Sequence, residues 1–187
     1  MTLPPAFGNP LPWVHDGQSP RRAYVQIATG EQKTAYMIQL AIHGATFEPL
    51  VRDTAVALMR GLPLLRGAAD EHVPRLRRLQ EFVRDSVPYH GEAIEILQAA
   101  SNTLEHGGDC DDHVILLGAL AWSMRYPFAI IATGDPADPY HYTIALGYPP
   151  GDHPSGSSDT LWLAAETTIP AELGEELSDA MQRTQTR

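Results

Sequence analysis

The spacing of apolar residues divides the chain into a helical portion and a strand portion. From Asp70 to Asp85, Val73, Leu76, Leu79, Phe82 and Val83 fall on one face of a helix. From Cys110 to about Met124, Val114, Leu116, Leu117, Leu120, Ala121 and Met124 recur at spacings of three and four, and the run stops before Pro127. A helix from Phe47 to Arg60 carries Pro49 in its first turn and has Gly61 after its end. A shorter helix is expected from Glu92 to Ala100. The segment Lys33–Ile42 fits helix or strand; it is read as a helix ended by Gly44.

After Pro127 the period changes to two. Strands are expected at Phe128–Thr133, Tyr140–Leu146 and Leu161–Ala165. In the second, Tyr142, Ile144 and Leu146 share one face, and His141, Thr143 and Ala145 share the other. The connections Asp135–Pro139 and Pro149–Gly156 are rich in turn formers, which favours antiparallel order. A further short strand is expected within Ala23–Gly30, around Tyr24-Val25-Gln26-Ile27. The fold class that follows is α+β, with helices on one side of a small antiparallel sheet and the cysteine-bearing helix packed on it.

The ends differ from this middle. Residues 1–22 hold Pro4, Pro5, Pro10, Pro12 and Pro20 with Gly8 and Gly17, the composition of an extended arm, with Phe7 and Trp13 as candidate anchors. Residues 171–187 form an acidic and then polar tail. Residues 23–170 are read as one domain, and no internal repeat is visible.

Charge narrows the class of partner. The net charge of -10 argues against binding nucleic-acid phosphates. Arg75, Arg77 and Arg78 are flanked by Glu71 and Glu81 and are read as the wet face of a helix. No apolar run reaches the roughly 18 residues a membrane span needs. The start, Met-Thr-Leu-Pro-Pro, does not read as a signal peptide. One cysteine excludes an internal disulfide and fits a reducing compartment.

That cysteine is the centre of the chemical reading. It lies in Gly108-Asp109-Cys110-Asp111-Asp112, where Gly107-Gly108 breaks the chain and Asp109 can cap the helix that follows. First-turn N–H groups and the helix dipole favour an anion at Cys110, and the thiolate is the reactive form of cysteine. The three neighbouring carboxylates act in the opposite sense. His141 on the second strand is the candidate base, and Glu166 closing the third strand is the candidate orienting acid. His106, Asp109, Cys110, Asp111, Asp112 and His113 also hold metal-ligand chemistry, but neighbouring helical residues point apart and no paired-ligand spacing is present, so no metal site is expected. Trp162 is read as core rather than as a cleft wall, and Asn102 as a helix cap or turn residue rather than an oxyanion donor.

These residues resemble the transglutaminase-like superfamily, and more narrowly its cysteine proteins common in bacteriophages and prophages. The likeness is carried by Gly-Asp-Cys-Asp-Asp opening a Leu-rich helix, then a His-bearing strand, then Trp162 followed four residues later by Glu166 and Thr167. Upstream, Leu79-Gln80-Glu81-Phe82-Val83-Arg84 with Val87-Pro88-Tyr89, then Glu95-Ile96-Leu97-Gln98 and Thr103-Leu104, extend it over about residues 33–170. The family usually has Asp where Glu166 stands, and an aliphatic residue and an aromatic where Tyr142 and Thr143 follow the histidine.

The resemblance implies a papain-like core with Cys110 as nucleophile, His141 as general base and acid, and Glu166 as the group that orients the imidazole. It implies a cysteine peptidase, amidase or acyl transferase working through a thioester, with no cofactor. The expected partner is a protein or peptide substrate, together with phage structural proteins. The expected setting is the host-cell cytoplasm or the virion. The alternative it allows is a phage structural or assembly protein that uses the fold for binding, with a weak or inactive site.

Overall fold

The computed structural model describes residues 22–24, 30–66, 68, 71–91, 96–135, 138–149 and 160–175. In chain order the elements are β1 (Arg22–Tyr24), α1 (Gly30–Phe47), α2 (Pro49–Leu58), α3 (Val73–Ser86), β2 (Ile96–Gln98), α4 (Ala100–His106), α5 (Cys110–Ser123), β3 (Phe128–Asp135), β4 (Asp138–Tyr148) and β5 (Leu161–Ala165). The class is α+β, as the change of period predicts.

Helix α5 is the axis. Every residue from Asp111 to Ala121 is buried. A helix apolar on all sides must sit inside the molecule, and α5 packs against α1, α2, α3, α4 and the sheet. Strands β3, β4 and β5 form an antiparallel sheet in that order. Tyr142, Ile144 and Leu146 of β4 are buried in the shared core with Val114, Leu117 and Leu120 of α5.

Three local expectations change. Glu92–Ala100 is not one helix: Ile96–Gln98 is a strand paired antiparallel with β1, and the helix starts at Ala100. A three-residue apolar run gives no usable period, and Leu97 enters the core from the strand. Gly44 does not end α1. It lies inside the helix, where a Cβ would come within 2.8 Å of the Ala100 methyl and 3.3 Å of the Ala119 methyl. The glycine is there because three helices meet at that point. Arg75 is not on the wet face; it is buried and its guanidinium donates to the Glu71 and Pro63 carbonyls, while Arg77 and Arg78 are exposed.

The proline-rich arm up to residue 21, most of the strand expected within Ala23–Gly30, the turn after Pro149 and the tail from 176 lie outside the described residues. Residues 171–175 continue along the sheet, with the Gly174 N–H donating to the Ala164 carbonyl at 2.7 Å. Among the described residues no helix is long and apolar enough to cross a membrane.

Candidate active site

The loop that delivers Cys110 is shaped by two glycines. Gly107 ends α4 with φ +82°, a conformation that costs other residues, and a Cβ there would strike the Pro88 carbonyl. Gly108 donates its N–H to Pro88 and accepts from the His90 N–H, and a Cβ there would overlap the Asp112 side chain. Asp109 then caps α5, its carboxylate accepting the Asp111 N–H at 3.3 Å. Cys110 is the first residue of the helix and is half-buried.

Strand register brings the imidazole and the carboxylate together. Ile144 pairs with Ala165. Continued by one residue, the register puts Glu166 across from Thr143, on the His141 face and one diagonal step away. The longer reach of glutamate suits that diagonal. Glu166 Oε2 lies 2.8 Å from His141 Nε2. The other oxygen, Oε1, accepts the Thr167 N–H at 2.8 Å, and the Thr168 N–H and hydroxyl at 2.7 Å each. The carboxylate is therefore held by its own chain before it meets the histidine.

The Cys110 side chain stands close enough to the His141 ring to be the first influence on its ionisation. With Nε2 committed to Glu166, Nδ1 is the ring atom left for the sulfur. The Cys110 side chain, the bond to Glu166 and the negative charge of both outweigh burial and push the His141 pKa up to about 9. Burial drives the Glu166 pKa upward, but the bonds from His141 and Thr168 and the imidazolium charge win, and the carboxyl stays below its usual range. At neutral pH the pair is imidazolium and carboxylate.

The surroundings of this line are sorted by burial. Asp112 is fully buried one residue beyond Asp111, and accepts the Gln98 N–H at 2.8 Å and the Gln98 amide at 2.5 Å. Burial and the neighbouring Asp111 charge outweigh those bonds and lift its pKa to about 8. His113 is buried beside Pro88, and burial depresses its pKa. Tyr89 stays exposed with its ring edge-on to His113 at 5.7 Å; partial burial and the negative charge of Cys110, Asp109, Asp111 and Glu166 raise its pKa.

No family model, curated protein or solved structure matches the chain.

The structure brings together all three residues singled out in the sequence, and sorts the side candidates. Asp109, Cys110 and Asp111 each bring a ligand atom within 4.8 Å of the others, and the Lys33 ammonium stands 2.8 Å from Asp111. His106 is turned to the Asn102 carbonyl and His113 to Pro88. Asn102 is no cap: the residue capping α4 is Ala99, and the Asn102 amide donates to the Gln98 side chain within a buried network. Trp162 is not core either, being 48% exposed on β5 with its ring edge against Gly147.

Two supporting residues escaped the sequence reading. Gln80 of α3 donates its side-chain amide to the Glu166 carbonyl at 2.9 Å and to Ala171 at 3.3 Å. Arg84, one turn on, donates to the same Ala171 carbonyl at 2.6 Å. A polar residue at a buried position among Leu76, Leu79 and Val83 is the signal that marks Gln80. Thr168 carries a subtler one, a hydroxyl two residues after a strand-end acid.

Proposed function

We propose that this protein is a transglutaminase-like cysteine enzyme that acts on an amide or peptide carbonyl through a thioester. The observation that carries the reading is the position of His141, next to the only thiol of the chain and 2.8 Å from a buried carboxylate. A structural histidine has no need of both partners. The motif order described in the sequence supports the narrower assignment to the phage-associated branch.

In this mechanism the Cys110 thiolate attacks the carbonyl carbon, and the π electrons move to oxygen. The N–H at the start of α5 faces that developing charge, where helix-terminal donors stabilise an anion. Collapse of the tetrahedral intermediate expels the amine, which takes its proton from the His141 imidazolium. The product is a Cys110 thioester and neutral His141. Neutral His141 then removes a proton from water or from an acceptor amine, which attacks the thioester; the C–S bond breaks, Cys110 leaves as the thiolate beside the regenerated imidazolium, and the acid or new amide is released. Glu166 keeps the ring in the tautomer with its proton on Nε2 and stabilises the imidazolium.

The test has two arms. Iodoacetamide should alkylate Cys110 at pH 6–7, below the range of a free thiol at about 8.5. His141→Ala should slow this at least about tenfold, and His106→Ala should leave it unchanged. Acid quenching during incubation with a peptide-amide library should then trap an acyl adduct on Cys110 that hydroxylamine removes. An alkylation profile that is unaltered in His141→Ala refutes the reading.

A further inference from the structure

Lys33 stands in the first turn of α1, where the helix dipole disfavours a cation. Its side chain is 14% exposed and its ammonium lies 2.8 Å from the Asp111 carboxylate, itself 1% exposed. The same ammonium sits 4.6 Å from the centre of the Tyr142 ring. Strand β4 thus offers His141 to the thiol from one face and a platform for Lys33 from the other.

The carboxylate that Lys33 meets is the residue after the nucleophile, with ligand atoms of Asp111 and Cys110 within 4.8 Å of each other. An uncompensated buried charge at that distance opposes formation of a thiolate. We propose that Lys33 is a positioning residue for the reaction: its ammonium, added to the Asp112 N–H that donates to Asp111 Oδ1 at 3.0 Å, offsets the Asp111 charge beside Cys110 and so favours the thiolate that forms against His141. The inference rests on the cysteine-enzyme reading and adds a fourth participant to it. Among the described residues, the other groups near the thiol are Asp109 from the preceding loop, His141 from β4, Glu166 beyond the ring and Tyr89 from the segment after α3. Asp112 faces Asp111 from the next position and is satisfied by Gln98. Among these partners the ones that favour the thiolate are cations, and Lys33 and His141 supply them from different elements.

The experiment is the pH profile of iodoacetamide alkylation, read by intact mass on the full chain. Lys33→Met should raise the midpoint by about 1 pH unit and slow labelling at pH 6.5 about tenfold. Lys33→Arg should stay within about threefold of wild type, since the charge is kept. The double variant Lys33→Met with Asp111→Asn should return to within about threefold, because both charges are gone together. Asp111→Asn alone should lower the midpoint, and it decides the matter if Lys33→Met does not fold. His141→Ala runs alongside. A wild-type profile in Lys33→Met or in Asp111→Asn, with His141→Ala still shifted, overturns the role of Lys33 and leaves the cysteine-enzyme reading intact. Failure of the double variant to recover means that Lys33 acts by packing, which also overturns it. An unshifted His141→Ala overturns the underlying reading instead.

Discussion

Glu166→Gln is the sharpest perturbation of the site, because the surrounding donors dictate which way the new amide must face. Oε1 takes three donors, two N–H groups and a hydroxyl from Thr167 and Thr168. Only an oxygen can occupy that position, so the glutamine NH2 must turn toward His141. An NH2 cannot accept the Nε2 proton. It can donate only to a bare Nε2, which forces the ring proton onto Nδ1 and removes the acceptor that the thiol requires. The wild-type ring is lifted from 6.5 to about 9, worth about 3 kcal/mol at 1.36 kcal/mol per pH unit. The largest single cause is the Cys110 side chain, and the bond to Glu166 is the next. Losing the acid and gaining a facing donor should lower the His141 midpoint by at least about 1.5 pH units, or about 2 kcal/mol. Nitrogen-15 NMR of labelled histidine between pH 5 and 10 reads both the midpoint and the tautomer. The folded pKa is raised, so the pair's contribution to stability is full below pH 6.5 and is lost as pH rises through about 9. The stability of Glu166→Gln should therefore be flatter across that window. A His141 midpoint and tautomer equal to wild type in a folded Glu166→Gln protein would refute the reasoning.

Glu166→Asp should keep the charge and lose reach, leaving alkylation between wild type and Glu166→Gln. Asp112, whose pKa is raised from 3.8 to about 8, should make the wild-type protein less stable as pH climbs through that range; urea melts of Asp112→Asn should show this part of the slope removed. Gly44→Ala should cost about 1–3 kcal/mol by forcing α1 away from Ala100 and Ala119, seen as a lower midpoint in thermal melts with unchanged alkylation of the surviving folded protein. Thr168→Val removes one of the three donors to Glu166 Oε1 and should slow alkylation several-fold at pH 6.5, with the melting temperature nearly unchanged.

What the sequence made legible depended on how local the cause was. Helix α5 and the β3–β5 sheet are legible because their periods run for five residues or more and because Asp109 and the glycine pair mark the helix start. Cys110 and Glu166 could be picked out because each sits at an element boundary, and His141 because it lies on an alternating strand well separated in sequence from the thiol. The β1–β2 pair was hidden because three-residue strands have no period, and their partnership spans more than seventy residues of chain. Gly44 was misread because a helix end and a helix crossing both call for glycine, and only the positions of Ala100 and Ala119 separate them. Lys33 carried no signal at all, since its partner lies on another helix and its meaning comes from contact with Asp111.

Cys110 belongs to the helical half of the molecule, while His141 lies on the sheet and Glu166 at its edge, directly after β5. The tie between the halves includes the two polar side chains of α3, Gln80 and Arg84, which grip the strand-end segment that carries Glu166. A chain in which the helices have collapsed but the sheet has not yet seated holds an ordinary thiol. If the proposed reading holds, labelling that depends on His141 should appear during refolding only when the sheet docks on the helices, so that the thiol reports the moment of docking.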